Sequence, residues 1–279
     1  MTMTKSERYI AFLLTYLPRL AATAVYSAGE NVPHRAGPLH AAQRLAAKRA
    51  GAYLEFGVYK GASISSAARR YPTRRFYGFD SFEGFPQDNR VDWAQDFSVP
   101  SLPSVPENVT LLKGWFTNTL PSFLDKLDEP IAMVHVDCDI YSSTVDVFSL
   151  LHTHNHLAPG LIIAFDEIIN YRDFLWNEML ALFEMLELTG LGLDWIGVNQ
   201  KVRLVDETLT LLIDNIFPSW KDDLQNGYWQ QASLVLTANP LDFSLAHNSH
   251  VRSRITKLAE QFASLTSDRQ ARQEKATAS

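Results

Sequence analysis

The sequence feature that most constrains the fold is a short apolar segment that two glycines interrupt before a helix-forming stretch begins. Residues 53–56 have strand character, Gly57 and Gly61 follow, and the Ala- and Ser-rich residues 63–70 favour a helix. Gly57 permits a tight turn, and Gly61 lets backbone approach a ligand closely because it has no Cβ atom. A strand, glycine turn and helix in this order are typical of the start of a doubly wound α/β domain that binds a nucleotide.

Two acidic residues accompany this turn. Glu55 stands just before it, so the pattern is Glu-x-Gly-x-x-x-Gly rather than the Gly-x-Gly-x-x-Gly of a dinucleotide site. A carboxylate there repels a pyrophosphate and favours a cationic or hydroxylated group, such as the amino-acid end of S-adenosylmethionine. Asp80 ends the next predicted strand, 25 residues later, where such folds place an acid on the ribose hydroxyls. The alternatives are a purely structural glycine turn and a helix N-cap at Asp80.

Three further strands are predicted at residues 109–112, 131–136 and 161–165, and carboxylates follow the last two. These carboxylates are Asp137, Asp139, Asp166 and Glu167. Because neighbouring parallel strands end at the same edge of a sheet, the four acids should converge and repel one another. A divalent cation such as Mg²⁺, which takes oxygen ligands, would relieve that repulsion. In the alternative, one or two of the acids cap the helices that follow and no metal is bound. His135 lies inside an apolar strand and is expected to pack in the core.

The chain divides into three predicted parts. Residues 1–50 form a helical N-terminal cap or lid, residues 51–206 the ligand-binding core, and residues 207–279 a C-terminal extension with a frayed tail. Residues 193–198 and 201–205 predict an antiparallel hairpin at the end of the sheet. The predicted fold class is therefore α/β: a Rossmann-like, doubly wound sheet that is mostly parallel and ends in an antiparallel hairpin.

Composition and charge exclude several classes of protein. With 46% hydrophobic and 20% charged residues, the chain has the composition of an ordinary globular protein. Its net charge of −6 argues against nucleic acid as a partner, because phosphate binding relies on a basic surface. Cys138 is the only cysteine, which excludes an internal disulfide and favours a reducing compartment. The sequence shows neither a membrane span nor a secretory signal, so we expect a cytoplasmic protein without a membrane partner.

Four motifs together resemble the class I S-adenosylmethionine-dependent methyltransferases. They are residues 54–61 (Leu-Glu-Phe-Gly-Val-Tyr-Lys-Gly), 78–86 (Gly-Phe-Asp-Ser-Phe-Glu-Gly-Phe-Pro), 135–144 (His-Val-Asp-Cys-Asp-Ile-Tyr-Ser-Ser-Thr) and 159–167, which begins Pro-Gly and ends Phe-Asp-Glu. The chain is most similar to the macrocin O-methyltransferase-like group, which methylates natural-product sugars. The resemblance covers residues 50–205, and its most specific parts are the second and third motifs.

The resemblance implies a site, residue by residue. The methionine end, the ribose and the adenine of the cofactor would be held by Glu55, Gly57, Tyr59, Gly61, Ser63, Asp80, Ser81, Phe82, Trp115 and Asp137. The metal ligands would be Asp137, Asp139, Asp166 and Glu167, of which Glu167 is one methylene longer than the Asp or Asn usual in relatives. Asp139 and Asp137 would be the catalytic residues. If Asp139 is not a metal ligand, it is the preferred base, ahead of His135 and Tyr141.

The implied reaction transfers a methyl group from S-adenosylmethionine to a hydroxyl of a small-molecule acceptor, a sugar or a phenol, with Mg²⁺ binding that hydroxyl. The resemblance also implies a homodimer. Two other functions are considered: an NAD-dependent oxidoreductase, and a non-catalytic binding protein with a relic cofactor pocket. The acid at the first turn and the missing third glycine count against the first. Against the second function, the chain keeps the expected acids at Glu55, Asp80, Asp137 and Asp166. Only position 167 departs from the pattern, with a Glu in place of a shorter residue.

Overall fold

The structure is a computed structural model that describes residues 2–26, 37–86, 97–169, 171, 174–199 and 230–277, with side chains of the last helix described to residue 271. The described strands are β1 (Ala24–Val25), β2 (Ala52–Phe56), β3 (Phe76–Asp80), β4 (Val109–Lys113), β5 (Ile131–Val136), β6 (Ile162–Phe165), β7 (Gly192–Val198) and β8 (Ala232–Thr237). The described α-helices are α1 (Lys5–Ala21), α2 (Gly37–Ala46), α3 (Ala62–Arg70), α4 (Phe116–Leu124), α5 (Tyr141–Thr153), α6 (Glu178–Thr189) and α7 (Ser249–Thr277). Short 3₁₀ turns lie at Phe174–Trp176 and Ser244–His247.

The strands join one sheet in the order β1-β7-β8-β6-β5-β2-β3-β4. All pairs are parallel except those of β8, which runs antiparallel to both β6 and β7. The predicted doubly wound sheet, mostly parallel with an antiparallel end, is confirmed. The second strand predicted for the hairpin, residues 201–205, lies outside the described residues. The antiparallel neighbour that the structure gives β7 is β8, which comes from the part of the sequence predicted as a C-terminal extension.

Helices cover both faces of the sheet. Helices α1, α4, α5 and α6 pack on one face, and α2 and α3 pack on the other. This follows from the alternation of side chains along each strand. In β2, for example, Leu54 and Phe56 pack in the core under α1, α4, α5 and α6, the first helical layer. Tyr53 packs in the core under α2 and α3, the second helical layer.

Helix α1 is an integral part of the first helical layer. Its Tyr9 and Phe12 contact Phe183 of α6, with ring centroids 5.0 Å and 5.5 Å apart. The hydroxyl of Tyr9 donates to the carbonyl oxygen of Leu175 at 2.7 Å, which satisfies the polar end of a buried ring. The N-terminal helices supply none of the residues that line the cavity described below, within the ranges that the structure covers.

Helix α7 packs against α1. The hydroxyl of Thr256 donates to the carboxylate of Glu7 at 2.7 Å, and Arg252 lies 3.3 Å from the same carboxylate. The helix continues to Thr277, into the end of the chain where the sequence predicted a frayed tail. Among the residues described, no helix is both long enough and apolar enough to cross a membrane.

The centre of the sheet contains a close approach between the ends of β2 and β5. Gly57 donates its N–H to the carbonyl of Phe79 at 2.9 Å, and Asp137 donates its N–H to the carbonyl of Phe56 at 2.8 Å. Gly57 has a φ of +91°, and a Cβ atom there would lie 1.7 Å from the carbonyl oxygen of Asp137. The tight turn predicted at Gly57 is confirmed, and glycine is needed both for its backbone conformation and for the space.

We expect Gly57→Ala to lower the free energy of unfolding by roughly 3 kcal/mol or more, because a left-handed backbone costs a residue with a Cβ atom about 1–2 kcal/mol and the clash with Asp137 adds to that cost. Gly190→Ala is the matched control: Gly190 has a φ of +68°, but a Cβ atom there would meet nothing within 4 Å. It should show only the conformational cost of about 1–2 kcal/mol. Urea unfolding followed by circular dichroism measures both, and equal losses would contradict the steric explanation.

Candidate active site

A cavity of about 420 Å³ opens at the carboxyl edge of the sheet, where open α/β sheets bind ligands. Its walls are built by residues at the ends of β2, β3, β4, β5 and β6. The predicted site residues that line it are Gly57, Tyr59, Asp80, Ser81, Trp115, Asp137, Asp139, Asp166 and Glu167. The predicted residues that do not are Glu55, Gly61, Ser63 and Phe82. The structure therefore brings both predicted halves of the site, the glycine turn and the acidic edge, to one cavity.

Asp80 accepts hydrogen bonds from the glycine turn, which forms one wall of the cavity, called the first wall below. Its Oδ2 accepts the N–H groups of Val58 and Tyr59, both at 2.8 Å, and its Oδ1 accepts the N–H of Phe82 at 2.6 Å. A carboxylate accepts about four hydrogen bonds. One acceptor position thus remains on a side chain that borders the cavity. No helix begins in residues 81–86, so the alternative of a helix N-cap at Asp80 is wrong.

Three non-glycine residues around the cavity have left-handed backbone conformations. The φ angles are +49° at Tyr59, +57° at Phe82 and +61° at Asp139. Such conformations cost on the order of 1–3 kcal/mol each and cluster at ligand-binding sites. Hydrogen bonds maintain them here: Asp80 accepts from Tyr59 and Phe82, and the side-chain amide of Asn177 donates to the carbonyl oxygen of Asp139 at 2.8 Å.

Aromatic rings form the outer part of the cavity. The ring of Phe97 meets those of Tyr59 and Phe85 edge to face, with centroids 5.3 Å and 5.1 Å apart. Trp115 is 37% exposed and contributes a further flat surface. Such faces suit stacking with a heteroaromatic base.

The opposite wall carries the carboxylates of Asp137, Asp139, Asp166 and Glu167. Burial raises the pKa of Asp137 well above its ordinary value, and the negative charges of Asp166 and Asp139 raise it further. The predicted convergence of these acids at one edge is therefore confirmed.

Gln231, just before β8, also reaches this wall. Its side-chain amide donates to Oδ1 of Asp166, and the side chain is 2% exposed. Phe165 pairs with Ala232 in the antiparallel register of β6 and β8, so the next pair along the ladder is Asp166 opposite Gln231. Sequence reasoning missed Gln231, because no local pattern indicates that a strand so late in the chain pairs beside β6.

Glu55 takes part in a buried polar chain outside the cavity lining. Its Oε1 accepts from the hydroxyl of Ser63 at 2.7 Å, and its Oε2 lies 3.0 Å from Nδ1 of His135. Glu55 is 6% exposed and His135 is 4% exposed. Burial lowers the pKa of His135, but the hydrogen bond to Glu55 and the charges of Glu55 and Asp166 outweigh burial and raise that pKa overall. His135 is buried as expected, but its partner is a carboxylate.

Gly61 and Phe82 support the turn from behind. Gly61 has a φ of +74° and precedes α3. A Cβ atom on it would lie 3.3 Å from Pro103 and 3.4 Å from Val105, so neighbouring side chains take the space that the sequence assigned to a ligand. Phe82 is 2% exposed and packs in the core of the second helical layer.

His135 also joins the acidic wall. One nitrogen of its ring and one oxygen from each of Asp137 and Asp166 lie within 4.8 Å of one another. The sequence does contain a signal for this grouping: His135 and Asp137 are two residues apart on β5 and its end, so their side chains project from the same face. The apolar character of the strand had favoured core packing instead.

Residues 54–168 match a family model described as a methyltransferase domain. The matched segment runs from β2 to just beyond β6 and contains all the residues that line the cavity. A comparison with curated proteins finds no match.

Solved structures similar to this chain include two methyltransferases. The calicheamicin methyltransferase CalS11 is 24% identical, with a TM-score of 0.46, over 69% of this chain and 89% of that chain. An O-methyltransferase from Bacillus cereus in complex with SAH is 13% identical, with a TM-score of 0.40, over 85% and 92% of the two chains. Cofactor-bound Rv0187 from MTB is 17% identical, with a TM-score of 0.42, over 82% and 90%. None of these likenesses assigns a residue role or a substrate to this chain.

All four motifs that carry the sequence resemblance lie inside the matched segment, and they include the glycine turn, the strand end at Asp80 and the acidic edge. The match describes a methyltransferase and not an oxidoreductase, which counts against the NAD-dependent alternative. Residues 54–168 therefore match a methyltransferase-domain family, in agreement with the class I S-adenosylmethionine-dependent type that the sequence indicated.

Proposed function

We propose that the protein transfers the methyl group of S-adenosylmethionine to a hydroxyl of a small molecule, a natural-product sugar or a phenol, with the assistance of a divalent cation. One observation carries the proposal: a cavity has the glycine turn with Asp80 on one side and four carboxylates on the other. Donor and acceptor must share such a space, because the displacement requires the oxygen, the methyl carbon and the sulfur to lie in line.

The first wall suits the cofactor. The backbone of Gly57 borders the cavity without a side chain, and the remaining acceptor position of Asp80 suits a ribose hydroxyl. Trp115 offers a surface for the adenine. One carboxylate oxygen of Asp137 would meet the cationic amino-acid end and leave the other to a cation, since the carboxylate of Glu55 is already bonded to Ser63 and His135.

The second wall suits a divalent cation, because several carboxylates there face one another at the edge of the sheet. Oxygen ligands of this kind bind Mg²⁺ and related ions. Such a cation, when bound, would hold the acceptor hydroxyl and lower its pKa.

The residues of this chain would position the acceptor and take its proton. As the hydroxyl oxygen bonds to the methyl carbon, the carbon–sulfur bond breaks and its electron pair stays on sulfur, which yields S-adenosylhomocysteine. Asp139 is the proposed base, because it lines the cavity on a backbone held by Asn177. Tyr141 is less suited, because its hydroxyl donates to Glu184 at 2.5 Å and the residue does not line the cavity.

We expect S-adenosylhomocysteine to bind the full chain in a calorimetric titration, and Asp80→Ala to weaken that binding by roughly 10- to 100-fold, the equivalent of about 1.5–3 kcal/mol for a hydrogen bond to a charged group. Asp194→Ala removes an exposed carboxylate on β7 and is the matched control. Circular dichroism would show whether each variant is folded. An absence of binding to the folded wild-type protein would contradict the proposed function.

Substitutions of Asp139 and Tyr141 distinguish these two of the candidate bases. Asp139→Asn should lower kcat by roughly 10²- to 10⁴-fold, the usual contribution of a general base, while Tyr141→Phe should leave kcat nearly unchanged. The measurement is the release of S-adenosylhomocysteine with a catechol and with a nucleotide-linked sugar as acceptors. The reverse pattern would identify Tyr141 as the base, and methylation of neither acceptor would count against a sugar or phenol substrate.

A further inference from the structure

A histidine lies on the same face of the sheet as two aspartates of the acidic wall. His135 and Asp137 share a face because side chains alternate along a strand. In the parallel register of β5 and β6, His135 pairs with Ala164. Asp166, two residues beyond Ala164, therefore lies beside Asp137, and all three side chains project to the face that α2 and α3 cover.

The spacing of these three side chains suits a single ion. One nitrogen of His135 and one oxygen from each aspartate lie within 4.8 Å of one another. Ligand atoms about 2.1 Å from a shared ion lie roughly 3–4 Å apart, so a small contraction brings the three atoms into coordination distance. His135 is 4% exposed, which shields this side of the group from water.

A second carboxylate orients the imidazole. Glu55 Oε2 lies 3.0 Å from Nδ1 of His135, and the hydroxyl of Ser63 holds the other oxygen of Glu55 at 2.7 Å. When Nδ1 donates to Glu55, Nε2 keeps its lone pair and can bind an ion. Metal-binding histidines commonly donate their other ring N–H to a carboxylate in this way.

Gln231 orients Asp166 in the same manner. Its amide group donates to Oδ1 of Asp166 and so restrains the orientation of that carboxylate. The carbonyl oxygen of the same amide is buried, in a side chain that is 2% exposed, and it has no hydrogen-bond partner among the residues described. A buried acceptor of this kind usually has a partner, and a water molecule bound to an ion next to Asp166 would supply one.

We propose that the cation of this site is held by Nε2 of His135 together with Asp137 and Asp166, that Glu55 and Gln231 are positioning residues, and that the ion belongs to the Mn²⁺, Co²⁺ and Zn²⁺ group rather than being Mg²⁺. Imidazole nitrogen suits these first-row ions, whereas Mg²⁺ takes oxygen ligands. The catalytic use of the ion rests on the proposed function, but its binding does not. Asp139 is not a ligand of the ion in this arrangement and can act as the base.

The first experiment uses the full chain, freed of metal with a chelator. We expect Mn²⁺ to bind at least tenfold more tightly than Mg²⁺ in calorimetric titrations, since one ligand is an imidazole. Electron spin echo envelope modulation of the bound Mn²⁺ should show a coordinated ¹⁴N nucleus. This signal should change when the protein is made with ¹⁵N-histidine, disappear in His135→Gln and persist in His152→Gln, which alters an exposed histidine of α5.

The positioning residues have their own readout. Glu55→Gln and Gln231→Leu each should weaken Mn²⁺ binding by roughly 10- to 100-fold, the usual effect of removing a group that orients a metal ligand. The ¹⁴N signal should survive at saturating Mn²⁺, because His135 is still present. Unchanged affinity in both folded variants would overturn the positioning roles.

The remaining outcomes also decide the question. Mn²⁺ binding without a ¹⁴N signal, or no binding to the folded wild-type protein, would overturn the proposal and leave His135 as a charged partner of the two aspartates. If His135→Gln does not fold, the comparison of ¹⁴N- and ¹⁵N-histidine wild-type protein still reports on the ligand. A parallel titration with S-adenosylhomocysteine separates the two proposals: cofactor binding without the nitrogen signal defeats this inference alone, while loss of cofactor binding defeats the proposed function.

Discussion

The backbone contact between the end of β2 and the end of β5 sets the geometry of the whole carboxyl edge. Gly57 and Asp137 approach so closely that a Cβ atom on the glycine would lie 1.7 Å from the carbonyl oxygen of Asp137. The glycine turn and the acidic wall therefore occupy fixed positions relative to each other. Because β2 lies between β5 and β3, the same contact also places Asp80 on the far side of the turn. This one backbone contact therefore fixes where the methyl-donor side and the acceptor side of the cavity lie.

Most of the fold could be predicted because its signals are local. Each strand from β2 to β6 is a short apolar run, and each run ends in a glycine, a carboxylate or both. The pairing of β8 had no local signal. It is an antiparallel strand that comes late in the chain and inserts between two strands that precede it, and only its tertiary neighbours determine that position. The sequence therefore predicted an antiparallel end of the sheet but paired β7 with residues 201–205, which are closer in the chain than β8.

The site was predictable where a residue follows a strand and less so where it lies within one. Asp80, Asp137 and Asp166 follow or end strands, so the topology alone brings them to the edge. Glu55 lies inside β2, and its direction depends on the pleat of the strand. The pleat places it across from His135, in the register of β2 and β5, and outside the cavity lining. Side-chain direction, rather than chain position, decided which predicted residues reach the cavity.

The position of β8 has a consequence for how the chain folds as it is synthesised. The ribosome makes β6 and β7 before β8, and until β8 arrives these two strands expose unpaired edges where it will insert. Exposed strand edges are prone to pair with other chains. Insertion of β8 closes both edges at once and brings Gln231 to Asp166 in the same step. The acidic wall is thus completed only when the sheet is, so a nascent or truncated chain carries the glycine turn without the fully ordered wall that faces it.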